Sequence, residues 1–372
     1  MFKDTFFIKI LSYFYEIMTS KISHGIGVMS GTSLDGVDIC YIRFDHTNTY
    51  RFKILDAETI PYPDNWKSKL KNAYHADKVS LSKLDVEYGG FLGDLIQKFI
   101  NDHAIRTLNF VASHGHTIFH KPEEGYTLQI GNGQTIADMV NYTVVNDFRT
   151  QDVKLAGQGA PLVPIGDELL FSEYDYCLNL GGFANISFKE KNSRKAFDIC
   201  PVNIVLNHYI NRLDLPYDDK GILASEGKVH KELLNKLNDL GFYRLSYPKS
   251  LGFEWVVKFI FPLIDSYNLE VRDILRTFIE HVSLQISKVI NDNVKVLATG
   301  GGVFNNYLIR SIEDHLDHKM IIPESNIINY KEALIFALLG LLKLEGKVNV
   351  LCSVTGAKHD HSSGVIFKPN KR

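Results

Sequence analysis

The sequence predicts an α/β chain of two similar halves with a ligand-binding cleft between them. Two glycine-tipped hairpin patterns carry this reading, one at 25–42 and one at 176–188. Each opens a stretch in which strand-like and helix-like segments alternate. A third observation supports them: the apolar strand pattern Val294 to Ala298 runs into Thr299-Gly300-Gly301-Gly302, and a helical pattern follows from about Asn305. A cleft at the junction of two such halves is where small ligands usually bind.

The first hairpin reads Gly25-Ile26-Gly27-Val28-Met29, a small polar tip, then Val37-Asp38-Ile39-Cys40-Tyr41-Ile42. Its tip holds Ser30, Gly31, Thr32, Ser33, Leu34 and Asp35, turning at Asp35-Gly36. Glycine lets backbone approach a ligand closely, and successive N–H groups with hydroxyls can surround an anion. A plain polar turn would look the same in isolation. A helix-like stretch, Leu84 to His103, leads to the strand pattern Asn109 to Ser113 and the polar end His114-Gly115-His116-Thr117. Metal binding there would need more ligands than His120 supplies, so contacts to a substrate hydroxyl or local capping fit better.

The apolar end Thr143-Val144-Val145 is followed by Asn146-Asp147-Phe148-Arg149-Thr150-Gln151-Asp152 and then Gly157-Gln158-Gly159-Ala160-Pro161. A carboxylate at a strand end can take a proton from a hydroxyl or water. Arg149 can hold a carboxylate bidentately or pair with either aspartate. The second hairpin, Tyr176 to Phe188, turns at Gly181-Gly182 and offers a second wall for a phosphate chain. Helix-like stretches follow at Val202 to Leu213, Lys228 to Leu240 and Val271 to Asn293. The triple glycine at 300–302 lacks the Lys-Ser/Thr of a P-loop and is not GxGxxG. Close backbone approach before a helix N-terminus still favours an anion. Glu332 is expected to begin the apolar helix Ala333 to Leu344, where it would complement the helix dipole.

The chain has 372 residues, 45% hydrophobic and 23% charged, with a formal net charge of −2. That is an ordinary soluble composition of about two domains. Near-neutral charge gives no electrostatic case for a nucleic-acid or membrane partner. Cys40, Cys177, Cys200 and Cys352 form no CxxC pair, so a zinc site or a disulfide framework is not indicated and a cytoplasmic setting fits. The apolar stretch Phe6 to Tyr15 is interrupted by Lys9, is too short to span a bilayer and has no cleavage site after it. It is either an N-terminal helix or sequence ahead of a start at Met18.

Taken together, these loops closely resemble the anhydro-N-acetylmuramic acid kinase family, part of the actin, hexokinase and heat-shock-chaperone ATPase superfamily. The resemblance rests on Gly27 to Asp38, Ser113 to Thr117, Thr127 to Gly131, Asp147-Phe148-Arg149 with Asp152, Gly157 to Pro164, Leu178 to Ile186, Gly300-Gly301-Gly302 with Asn305, and Glu332-Ala333. These stand in the family's order across about residues 25 to 345.

The resemblance implies two duplicated domains of the actin-like ATPase (ribonuclease H-like) fold around a central nucleotide and substrate cleft. The expected division is an extension at 1–22, domain I at 23–145 joined by a helix at about 331–350, domain II at 146–330, and a tail at 351–372. It also implies a kinase that uses ATP and Mg²⁺ to open the 1,6-anhydro bond of an amino sugar with water and phosphorylate O6. Such an enzyme serves cell-wall recycling, and a homodimer is possible. Gly31, Thr32, Ser33, Leu34, Asp35, Gly36, Val37 and Asp38, with Gly181, Gly182, Gly300, Gly301 and Gly302, would bind nucleotide. Asp35 would hold Mg²⁺ through water. Asp152, with Asp147 as its competitor for the role, would be the base that activates water, aided by Glu332; Asp147 would then hold Arg149. His114, His116, Asp147, Arg149 and Gln158 would contact the sugar.

Three departures from the family pattern stand out. Phe197-Asp198-Ile199-Cys200-Pro201-Val202-Asn203 replaces Phe-Asp-Thr-Gly-Pro-Gly-Asn, and Lys249-Ser250-Leu251-Gly252-Phe253-Glu254 replaces Lys-Ser-Thr-Gly-Arg-Glu. His116 stands where glutamine is usual. The tail beyond Gly346 matches nothing in the pattern and reads as a flexible end.

Overall fold

Ten residues, Lys21–Ser30, form β1, buried along nearly all of its second half because both of its faces are covered. It turns back into β2 (Gly36–His46), closing the hairpin with Ser30 opposite Val37, and β2 pairs antiparallel with β3 (Tyr50–Pro61). On its other edge β1 runs parallel to β4 (Phe110–Lys121), and β4 runs parallel to β6 (Thr143–Asn146). The strand β5 (Tyr126–Ile130) folds back antiparallel on β4. A computed structural model describes residues 21–31, 34–47 and 49–370. The choice between an N-terminal helix and a start at Met18 lies outside the described residues.

The C-terminal segment completes this sheet. Its strand β11 (Val365–Phe367) pairs antiparallel with β6, giving the order β11-β6-β4-β1-β2-β3. The expected flexible tail is therefore an ordered part of the unit. Asn349 explains much of this: its Nδ2 donates to the carbonyls of Leu339 and Ser363, and its Oδ1 accepts from Ser363 N–H. Asn349 thereby bridges the end of the helix and the C-terminal segment, with its amide fully satisfied in the interior.

The helix Lys78–Asp102 covers the sheet with Leu92, Ile96 and Phe99. It begins six residues before the Leu84 expected from sequence because Asp77 caps it, accepting from the N–H groups of Val79 and Ser80. The helix Ser325–Leu344 lies close against β1. A Cβ placed on Gly27 would stand 1.9 Å from the Ala333 carbonyl oxygen, so only glycine permits that approach. Glu332 thus sits inside this helix rather than at its start. Its charge is too far from the helix start to complement the macrodipole, whose effect fades beyond the first turn.

Residues 171–329 repeat the pattern. Three antiparallel strands, β7 (Tyr176–Leu180), β8 (Phe183–Glu190) and β9 (Ser193–Pro201), form a meander, and β10 (Val296–Thr299) runs parallel to β7. In both units the first strand of a meander also carries a parallel partner on its free edge. That is a duplicated α/β architecture. The helix Val271–Ser287 is the centre of the second core, with Leu275, Phe278 and Val282 buried against Leu178, Ile186 and Leu206. It stops before the expected Asn293. The other expected helices are shorter, at Asn203–Ile210 and Lys231–Asn238.

The division between units falls after Leu170, later than the expected 145/146 border, and the first unit resumes at Tyr330. Side-chain bonds explain this, since the segment 146–159 is tied to β4 and to the C-terminal residues of the first unit. Among the described residues no helix is long and apolar enough to cross a membrane.

Candidate active site

In the first unit the hairpin tip, the end of β4, the 146–159 loop and one face of the helix Ser325–Leu344 hold the predicted residues. Thr32 and Ser33 lie outside the described residues. Leu34 adopts a left-handed backbone with φ 60°, a strained conformation for such a side chain and one that clusters at ligand-binding turns. Asp35 is exposed and Asp38 half-buried. Burial lifts the Asp38 carboxyl above its usual range, the Thr59 hydroxyl donating to it at 2.6 Å opposes that, and Asp35 adds to it. No ion pair relieves either aspartate among the described residues.

Arg149 is held at two points. Its Nε donates to His114 Nε2 at 2.8 Å and its Nη1 to the Gly159 carbonyl at 2.6 Å. His114 Nε2 must then be the unprotonated nitrogen, and Nδ1–H donates to the Gly115 carbonyl at 3.0 Å. Burial, reinforced by Arg149, holds this ring neutral by pushing its pKa well down. Burial also lowers Arg149 to about 10, with Glu332 and then Asp152 opposing the fall. It remains a cation at neutral pH, and its Nη2 has no hydrogen-bond partner among the described residues.

Asp147 does not hold Arg149, contrary to expectation. Its Oδ1 accepts from Thr150 N–H at 3.3 Å, so it caps the short helix Thr150–Lys154 from a left-handed backbone of φ 56°. Gln158 has an exposed side chain, while its N–H donates to the Thr355 carbonyl at 2.8 Å.

Asp152 is fully enclosed, with 0% of its surface exposed. Oδ2 accepts from Gly159 N–H at 2.6 Å and Oδ1 from the Thr355 hydroxyl at 2.7 Å, with His361 Nε2 at 3.5 Å from the same oxygen. Neither oxygen faces water. Thr355 and His361 come from the C-terminal segment that sequence reasoning set aside. The signal available was its cluster of small and hydrogen-bonding residues after a long apolar helix.

Glu332 differs from Asp152 in being open to solvent at its surface. The crowding of protein around it still raises its carboxyl above the ordinary range; Arg149 opposes the rise, Asp38 adds to it, and Lys331 opposes it.

In the second unit the structure brings both glycine loops together at the ends of the adjacent parallel strands β7 and β10. Gly300 has φ 84°, and a Cβ there would stand 2.5 Å from Asn179 Oδ1 and 2.8 Å from the Leu180 carbonyl carbon. Gly301 faces open space. The Gly181 and Gly182 carbonyls accept from the N–H groups of Val202, Asn203 and Ile204, which fixes the hairpin to the next helix.

Sequence reasoning missed Asp198 on β9. It is half-buried, its Oδ2 accepts from Leu251 N–H at 2.8 Å, and its N–H donates to the Lys249 carbonyl at 3.1 Å. The two departed motifs, 197–203 and 249–254, are therefore neighbours. Burial raises the Asp198 carboxyl, and the Leu251 N–H opposes that. An aspartate set between the apolar residues Phe197 and Ile199 was the available signal.

A family model described as anhydro-N-acetylmuramic acid kinase matches residues 23–369. The chain is 34% identical to the anhydro-N-acetylmuramic acid kinase of Francisella tularensis subsp. novicida, across 91% of this chain and 97% of that one. It is 31% identical to the protein of the same name from Sulfurimonas denitrificans, across 92% and 99% of the two chains. Among solved structures, a xylulose kinase from Lactobacillus acidophilus aligns over 94% of both chains at 12% identity with a TM-score of 0.43. A ROK family glucokinase from Streptomyces griseus, in complex with glucose and AMPPNP, aligns over 86% of this chain and 98% of that one at 11% identity with a TM-score of 0.38.

Proposed function

The chain belongs to the anhydro-N-acetylmuramic acid kinase family, and on that premise we propose that it converts anhydro-N-acetylmuramic acid, water and ATP into N-acetylmuramic acid 6-phosphate and ADP. Water attacks the anomeric carbon, the C1–O6 bridge bond breaks, and O6 takes the γ-phosphoryl group. The observation that carries this reading is the match of the family model across nearly the whole described chain. The setting that fits is the cytoplasm, where ATP is available, and the resemblance implies a homodimer.

Three sets of groups supply the chemistry. The backbone from Gly31 to Asp38 and the paired glycine loops, Gly181-Gly182 and Gly300 to Gly302, bind nucleotide phosphates. Asp35 and Asp38 fit a divalent cation, because a half-buried carboxylate beside a second, both without a cationic partner, gains from one. Mg²⁺ needs only one or two carboxylates when phosphates and waters complete its shell. When bound it neutralises charge on the transferring phosphoryl group. Arg149, whose Nη2 has no partner among the described residues, takes the lactyl carboxylate of the sugar through a charge-assisted hydrogen bond.

Water is a poor nucleophile, so a positioned base is needed, at a gain of about 10²–10⁴-fold. Asp198 and Glu332 fit this task better than Asp152. Both reach solvent and both carry carboxyls raised toward the working pH. Asp198 also has one oxygen pinned by Leu251 N–H, which orients it and leaves the other oxygen for water. We assign the base to Asp198, with Glu332 as the second carboxylate and Asp152 as a positioning residue of the 149–159 loop.

The test is turnover of anhydro-N-acetylmuramic acid with ATP and Mg²⁺ in ¹⁸O-water. Label at C1 of a 6-phosphorylated product is expected. A 6-phosphate formed without label, or activity restricted to sugars with a ready-made hydroxyl, would reject the reading.

A further inference from the structure

Directly beneath the nucleotide hairpin lies a closed ring of hydroxyls. Ser30 Oγ stands 2.6 Å from Tyr62 Oη, Tyr62 Oη is hydrogen-bonded to Tyr88 Oη, and Tyr88 Oη returns to Ser30 Oγ at 3.0 Å. A fourth contact joins Ser30 Oγ to His116 Nδ1 at 2.9 Å. All four side chains are buried.

A hydroxyl carries one proton. Three hydroxyl protons are consumed by the three contacts within the ring, whichever way round they point. The fourth contact must take its proton from the imidazole. His116 is therefore protonated on Nδ1, and Nε2 keeps its lone pair. Burial holds the ring neutral, with a pKa of about 4, so Nε2 stays unprotonated at neutral pH.

Nε2 has no partner among the described residues, yet it is not sealed from solvent. His116 is only 4% exposed, so a nearly buried ring presents one acceptor atom outward. It sits opposite Ser30, at the carboxyl end of the parallel pairing between β1 and β4. Ligands of α/β sheets bind at such strand ends. Two residues away, on the same strand, His114 holds Arg149.

We propose that His116 is a specificity-determining residue of the sugar site, accepting a hydrogen bond at Nε2 from a neutral donor of the substrate, a hydroxyl or the acetamido N–H. An imidazole locked in this tautomer has no proton to offer on Nε2, so it turns away phosphate and carboxylate oxygens. The anionic groups of the ligands are left to Arg149 and the backbone loops. This assignment rests on the proposed sugar substrate, but the tautomer itself does not.

Two measurements on the full chain separate the parts. Nitrogen-15 spectra of histidine-labelled protein at pH 7, assigned with His116→Gln, should give His116 a pyrrole-like Nδ1 and a pyridine-like Nε2. The reverse pattern overturns the proposal without reference to any substrate. Titration with anhydro-N-acetylmuramic acid should then move the Nε2 resonance toward a hydrogen-bonded value, while sulfate, an anion with no proton to donate, leaves it in place. A resonance that responds to sulfate, or that stays still while the sugar binds, also overturns it. In kinetics, His116→Phe, which keeps a buried ring and removes the acceptor, should raise KM for the sugar by about 3–10-fold, the range of one hydrogen bond, with KM for ATP within about 2-fold. Failure of the ¹⁸O experiment would instead remove the sugar reading and leave the tautomer result intact.

Discussion

Replacing Thr355 by valine removes one hydrogen-bond donor and keeps the shape of the side chain. The main loss is the bond from Thr355 Oγ1 to Asp152 Oδ1 at 2.7 Å, between two side chains almost wholly shut away from solvent, and with it goes the longer bond that Oγ1 accepts from Ala357 N–H at 3.3 Å. Water cannot take the place of the hydroxyl. Asp152 keeps the Gly159 N–H at 2.6 Å on its other oxygen, and the His361 ring is 3.5 Å from the deprived one. A hydrogen bond to a charged group contributes about 1.5–3 kcal/mol, and leaving a buried partner unsatisfied forfeits that amount. At roughly 2–4 °C per kcal/mol for a unit of this size, the unfolding midpoint of the first unit should fall by about 3–12 °C. Differential scanning calorimetry and urea titration both read this. Thr355→Ser keeps the donor and should recover most of the loss. A functional readout follows, because Gly159 also holds Arg149 through its carbonyl at 2.6 Å. KM for the sugar should rise more than KM for ATP. A Thr355→Val chain within about 0.5 kcal/mol of the native one would refute the reasoning, since surface substitutions commonly do no more than that.

The other predictions concern the base, the helix contact and the nucleotide loop. Asp198→Asn should lower turnover by about 10²–10⁴-fold with ATP binding retained by calorimetry, whereas Asp152→Asn should act chiefly on stability and sugar KM. Full turnover in Asp198→Asn would return the base to another carboxylate. Because the Asp198 and Glu332 carboxyls are raised and the base works deprotonated, activity should fall as pH drops through a pKa above the ordinary carboxylate range. Glu332→Gln should shift that acid limb, and an unmoved limb would remove Glu332 from the profile. Gly27→Ala puts a carbon 1.9 Å from the Ala333 carbonyl oxygen, so the helix carrying Glu332 must move. Overpacking of this kind costs about 1–3 kcal/mol, read as a lowered unfolding midpoint with reduced turnover. Gly300→Ala meets both a left-handed backbone and the Asn179 and Leu180 atoms, and should weaken ATP binding measurably in a nucleotide titration.

The sequence made the duplication legible because period and punctuation are local. Each glycine-tipped hairpin showed its two strands and its turn, and the Gly300 loop showed its strand and helix. The third strand of each meander was not legible. In β3 the exposed and half-buried residues do not alternate cleanly, since it lies at the edge of its sheet. The C-terminal segment was misread for a related reason. Its order comes from β6 and from Asn349, Thr355 and Ser363 binding distant backbone and Asp152, contacts that leave no periodic trace. Within the candidate site, residue types were legible and their environments were not. Asp147, Asp152 and Asp198 are the same amino acid, and only burial and partners tell a cap, a buried anchor and an open carboxylate apart.

That sorting can be weighed by magnitude. For Asp152 to activate water it would first have to release the bonds from Gly159 N–H and Thr355 Oγ1. At about 1.5–3 kcal/mol for each hydrogen bond to a charged group, opening costs about 3–6 kcal/mol. Such a cost slows a reaction by about 10²–10⁴-fold. A positioned base accelerates by about the same factor. The sealed carboxylate would therefore return as much as it gains. Asp198 incurs no such cost, because Leu251 N–H occupies one oxygen and leaves the other for water. Its partial burial raises its proton affinity, which strengthens it as a base so long as it remains ionised at the working pH. The bonds that hold Asp152 back from proton transfer are the ones that fix the 149–159 loop, and through the Gly159 carbonyl they fix the Arg149 side chain as well.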